Sequence, residues 1–134
     1  MQTLEDFFRR NHIRMKAEET YSNPNMDADD WSRQASHWKC TIHFGKRRMT
    51  TYFSQGAAIS RRPSPADVLN CLASDAAGVD NAGGFEDWAA EYGYDPDSRR
   101  AEKTYRLCER QTEKLKALLG PEAFKALVYN TERL

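Results

Sequence analysis

The sequence predicts an α+β fold: a small antiparallel sheet of three strands around a central hairpin at about 38–54, then a helical half of three to four helices. Three observations predict it. Apolar and polar residues alternate on both sides of Gly45-Lys46, as strands joined by a tight turn do. A second alternating run covers 13–20, where Ile13, Met15 and Ala17 interleave with Arg14, Lys16 and Glu18. After residue 64 the apolar spacing changes to that of helices, with serine, proline and glycine at their ends. The 134 residues fit one domain, with the N-terminal helix and sheet at about 1–56 and the helical half at about 64–134.

Thr3 caps a short first helix, with Asp6 as box partner three residues on. Leu4, Phe7 and Phe8 share its apolar face, and Asn11 stops it. The run at 13–20 is the first strand. Ser22-Asn23-Pro24-Asn25 has turn chemistry, and the acidic stretch from Asp27 to Ser36 reads as a loop with a helical turn around Trp31.

The hairpin is the most informative local feature. A two-residue turn with glycine first pairs Phe44 with Arg47, Ile42 with Met49, Cys40 with Thr51 and Trp38 with Phe53, a mostly apolar face. The opposite face pairs His43 with Arg48, Thr41 with Thr50 and Lys39 with Tyr52, and it is polar. A slip of one residue would exchange these faces, so the pattern fixes the register. A lone hairpin is marginal in water, which calls for the 13–20 strand as its neighbour.

Gly56 to Arg62 is a connector. Ser64, Pro65 and Asp67 then open a helix whose stripe is Val68, Leu69, Leu72, Ala73 and Ala76, with Gly78 as its expected stop. Past the loop 81–84, Phe85, Trp88, Ala89 and Tyr92 share one face of a short helix ended by Gly93. Asp95-Pro96-Asp97-Ser98 is a turn and cap. The helix from about Arg99 to Leu119 buries Ala101, Tyr105, Cys108, Leu115 and Leu119. Gly120 ends it, and Pro121 starts a last helix with Phe124, Leu127 and Val128 inward.

Apolar residues make up 40% and charged residues 30%, a globular balance. No apolar run approaches the ~20 residues of a membrane span, and Met1 to Arg10 lacks the apolar centre of a signal peptide. A cytoplasmic protein with no membrane contact is expected. Cys40, Cys71 and Cys108, odd in number and widely spaced, are expected to be buried reduced thiols.

Charge is segregated although it sums to zero. Residues 39–62 hold six bases and no acid, whereas residues 63–98 hold eight acids and no base. Such blocks create local fields that the net value conceals.

His37, Cys40 and His43 suggest metal ligation, but strand alternation turns Cys40 away from both histidines, and no metal or other cofactor is expected. Asp95-x-Asp97 and Glu102 lack the central glycine of a calcium loop and suit a turn and helix start. The chain has no G-x-S-x-G, no phosphate-cradling G-x-x-x-x-G-K and no G-x-G-x-x-G. It is therefore read as a non-enzyme; a catalytic alternative would be sought at His37, His43 or Asp75.

Two surfaces carry the recognition readings, each set against ordinary solvation. The acidic block offers Asp80, Glu86, Asp87, Glu91, Asp95 and Asp97, with Tyr94 as aromatic anchor, to a partner's basic groove in imitation of nucleic-acid phosphates. Trp31, Trp88 and Tyr92 also lie in or near acidic stretches. Alternatively, Lys39, Lys46, Arg47, Arg48 and Tyr52 of the hairpin contact nucleic acid.

Several stretches resemble a family of small, largely uncharacterised proteins encoded by phages and integrated mobile elements. They include Asn23-Pro24-Asn25-Met26, His37-Trp38, Met49-Thr50-Thr51-Tyr52-Phe53-Ser54-x-Gly56, Pro65-Ala66-Asp67-Val68-Leu69 and Leu72-Ala73-Ser74-Asp75-Ala76-Ala77-Gly78. The longest runs from Phe85-Glu86-Asp87-Trp88 through Tyr92-Gly93-Tyr94-Asp95-x-Asp97-Ser98 to Glu102. The resemblance covers most of residues 23–105 and assigns no catalytic residue. It implies an inhibitor of a host defence complex, a CRISPR effector above all, acting by protein–protein contact in the bacterial cytoplasm. The partner would be a host protein or a protein–nucleic acid complex. Separately from the resemblance, the first helix and the sheet edge could pair with copies of themselves in a homodimer.

Overall fold

A computed structural model describes residues 1–20, 37–54 and 62–132. The turn at Ser22–Asn25, the loop from Asp27 to Ser36 and residues 55–61 of the connector lie outside the described residues. The order of elements is α1 (Leu4–Arg10), β1 (Arg14–Thr20), β2 (His37–Phe44), β3 (Arg47–Ser54), α2 (Pro65–Asn81), α3 (Phe85–Glu91) and α4 (Arg99–Tyr129). The architecture is α+β: one antiparallel sheet in the order β1-β2-β3, with helices against one of its faces.

The hairpin register is the one its turn dictates. Trp38 faces Phe53, Cys40 faces Thr51, Ile42 faces Met49 and Phe44 faces Arg47. Gly45 takes φ 61°, the left-handed value that a glycine-first turn needs. β1 adds to β2 with Ala17 beside Cys40 and Met15 beside Ile42, so three strands share the apolar face. Against it pack Leu4 and Phe7 of α1, the Val68-Leu69-Leu72-Ala73-Ala76 stripe of α2, and Leu115, Leu118, Leu119, Phe124, Leu127 and Val128 of α4.

The helix ends follow local chemistry. Thr3 Oγ1 accepts from the Asp6 amide at 3.1 Å. At the other end of α1 the Ile13 amide donates to Phe8 O and the His12 amide to Arg9 O, with His12 at φ 52° where glycine is usual. Ser64 and Asp67 form a reciprocal capping box at 3.1 and 2.8 Å. α4 breaks at Gly120, φ 81°, and resumes at Pro121, so its two halves are the two helices the sequence predicts.

Two expectations need correction. Gly78 does not end α2, which continues to Asn81. Its missing side chain makes room instead: a Cβ there would lie 2.5 Å from the Tyr92 hydroxyl. Cys71 is not buried. All three cysteines are free, but Cys71 is exposed because it lies off the inward stripe of α2.

Candidate functional site

The acidic, aromatic surface is organised by α3, a helix of seven residues that ordinary propensity would not hold alone. Trp88 and Ala89 are its buried residues. They form a second small core with Tyr105 and Cys108 of α4, flanked by Val79, Ala82 and Phe85. Trp88 is 4% exposed and is enclosed by rings, with Tyr105 at 5.3 Å, Tyr92 at 5.4 Å and Tyr94 at 5.1 Å between centroids.

Gly93 places Tyr94. With φ 74° it ends α3 in the left-handed conformation. Its amide donates to Ala90 O at 3.4 Å, and that of Tyr94 to Ala89 O at 2.8 Å. This pair of bonds is the Schellman motif, whose usual companion is a contact between the residue after the glycine and the last turns of the helix. Here that contact is Tyr94 on Trp88. The ring is held, yet Tyr94 remains 41% exposed and Tyr92 52%.

Around these rings stand the carboxylates. Glu86, Asp87, Glu91, Asp95 and Asp97 are exposed, and none forms an ion pair with a described residue. Asp95 Oδ1 accepts from the Asp97 amide at 2.9 Å, which folds the turn before α4. Asp87 and Glu91, one helical turn apart, line a groove of about 400 Å³ with Asn81, Gly83 and Tyr92. Gly83 leaves space that the Asp87 carboxylate fills. Asp80 stands apart from this set: Lys116 Nζ of α4 donates to its Oδ1 at 3.1 Å. That pairing turns Asp80 toward α4.

Glu91 sits where the helix dipole opposes it. The last turn of α3 holds no base, and a carboxylate there faces the negative end of the helix dipole. Glu86 and Asp87, in the first turn, are on the favourable end.

The basic hairpin residues divide. Lys39, Arg48 and Tyr52 lie on the sheet face away from the core, and Lys46 is in the turn. Arg47 is on the other side, donating to Ala117 O of α4 at 3.2 Å with its guanidinium over Phe44. Arg62, from the same basic block, donates to Ala17 O of β1 and stacks over Trp38. Those two arginines fasten the fold.

Cys40 lies in the core at 0% exposure, on the opposite sheet face from His43, and no group of three ligating side chains is present among the described residues. Burial pushes the Cys40 thiol up to about 11. Burial and the charge of Asp75 push the Cys108 thiol up to about 12. Asp75 retains open residue surface on α2, but the protein crowding it raises its carboxyl to about 6. No described helix is long and apolar enough to cross a membrane.

Comparison with family models, with curated proteins and with solved structures finds no match.

Proposed function

We propose that this chain is a non-enzymatic binding protein that docks on a basic groove of its partner through the α3 surface. Glu86, Asp87, Glu91, Asp95 and Asp97 are the contacting acids, and Tyr94, with Tyr92 beside it, is the aromatic anchor. The supporting observation is the combination at one place of exposed carboxylates, unpaired with any described residue, and a ring cluster preformed around Trp88. A fixed aromatic costs little conformational entropy on association, and segregated charge speeds encounter with a basic surface. Asp80 is left out of the contact set because Lys116 occupies it.

The resemblance to small proteins of phages and mobile elements makes a host defence complex the first partner to test, a CRISPR effector above all. There the acids would take the place of nucleic-acid phosphates. Pull-down with purified effector complexes tests this, comparing the native chain with one in which Glu86, Asp87, Glu91 and Asp95 are all replaced by lysine. Retention of the native chain and loss of the variant are expected. Equal retention of both removes α3 from the interface.

A further inference from the structure

The face of the sheet turned away from the core is cationic, and its charge is larger than the hairpin alone supplies. Register sets Arg14 of β1 beside His43, and His43 beside Arg48 of β3. One step along, Lys16, Thr41 and Thr50 form a row; the next row is Glu18, Lys39 and Tyr52. None of these side chains is buried. Four are permanent cations and Glu18 is the single acid, held by Lys16 at 2.8 Å. The Lys16 contact, then the lesser pull of Lys39, lowers its carboxyl below the ordinary range.

This face continues over the β3 edge of the sheet. There a shallow groove of about 560 Å³ lies between β3 and α4, lined by Arg47, Arg48, Thr50 and Lys114 over Met49 and Leu118. Among the described residues no carboxylate lines it. Glu113, the nearest acid in sequence, lies 3.8 Å from the Lys116 ammonium. Lys114 comes from 66 positions beyond Arg48, so the fold itself brings these charges together. Arg48 belongs both to the groove and to the open face.

We infer that this sheet face and the β3–α4 groove bind single-stranded nucleic acid. Arg48 and Lys114 take backbone phosphates in the groove and Lys39 takes one on the open face, where bases lie across Tyr52 and His43. Charge complementarity selects a polyanion. The open three-stranded face, with Tyr52 on its edge strand, selects exposed bases over a closed duplex, since stacking needs a free base face. This surface uses none of the α3 acids, so it stands independently of the α3 interface.

The test is fluorescence anisotropy of a labelled 15-nucleotide oligo-dT and oligo-U, with a 15-base-pair duplex alongside, at ~50 to ~300 mM salt. Binding of the single strands is expected to weaken with salt, with a log–log slope of about −2 to −3 for three to four phosphate contacts at about 0.7 each. Arg48→Glu with Lys114→Glu should weaken binding on the order of tenfold or more and flatten that slope. Tyr52→Ala should weaken it about fivefold or more. Arg99→Glu is the control, because Arg99 lies fifteen residues and about 22 Å along α4 from Lys114. If the double reversal fails to fold by circular dichroism, Lys114→Gln repeats the test with an exposed, volume-conserving change. Absence of binding at ~50 mM salt overturns the inference. So does a duplex bound as tightly as the single strand, or a loss with Arg99→Glu equal to that with the groove variant.

Discussion

The indole of Trp88 and the phenol of Tyr94 lie face to face, with 5.1 Å between ring centroids and 7° between their planes. They stand six positions apart in the chain, and the Gly93 reversal brings them together. The same contact caps α3 and presents an aromatic edge among carboxylates. Fold and proposed interface therefore share one pair of rings.

Trp88→Ala should cost about 3–5 kcal/mol, the range for deleting a large buried aromatic. Tyr94→Ala should cost about 1 kcal/mol, since only part of that ring is covered. Denaturant melts of both variants measure this. Equal losses would mean that Tyr94 is as much a core residue as Trp88.

Gly93→Ala isolates the role of the turn. Apart from its chain neighbours, no described atom lies within 4 Å of where its Cβ would go, so the cost is conformational. About 1 kcal/mol is expected from the left-handed backbone. The Tyr94 ring should also become more mobile in NMR line shapes than in the native chain. A neutral substitution would show that the backbone relaxes out of φ 74° without harm.

Glu91 sits against the dipole of α3 with no described counter-charge. Glu91→Lys should therefore raise stability by about 0.5 kcal/mol while weakening partner binding. Thermal melting and binding, measured on the same preparation, check the two signs. A destabilised variant would reveal a local role for the carboxylate.

Asp75 gives a pH signature. Its carboxyl is raised from 3.8 to about 6, so the folded chain holds the proton more tightly than the unfolded chain. Its contribution favours folding below the unfolded value and is lost as pH rises through about 6. The open surface of the residue screens part of the penalty, leaving about 1 kcal/mol at neutral pH. Asp75→Asn should recover that amount at pH ~7.5 and gain nothing at pH ~3.5, below both values. Identical gains at both pH values would count against a titrating origin.

The thiols should separate by access. In the native state a thiol reagent should modify Cys71 alone, with Cys40 and Cys108 reacting only after unfolding. Local burial, and then the nearby carboxylates of Asp75 and Asp67, raise the Cys71 thiol too, so its reaction should quicken as pH rises above neutral. Rapid modification of Cys108 in native protein would show that the α3–α4 contact opens readily.

Much of this fold was legible because its signals are local. A pleat of period two and a glycine-first turn leave one register for β2 and β3, and that register is observed. Ser64, Pro65 and Asp67 announce α2, and Gly120-Pro121 announces the break in α4. Gly78 misled because a glycine that stops a helix and one that admits a neighbouring side chain look alike until the neighbour, Tyr92, is placed. The site was legible in composition but not in assignment. That Lys116 would take Asp80, 36 residues away, depends on how α2 and α4 face each other. The approach of Lys114 to Arg48 depends on the same kind of long-range packing. Sequence periodicity gives the faces of each helix and not which faces meet.

The most direct test of the α3 surface is the association rate with a purified effector complex at low and high salt. Neutralising Glu86, Asp87, Glu91 and Asp95 to their amides keeps shape and removes charge. An association rate lowered on the order of tenfold at low salt is expected, converging with the native rate as salt rises, with a dissociation rate that changes less. Native and neutralised chains associating at the same rate at every salt concentration would contradict it.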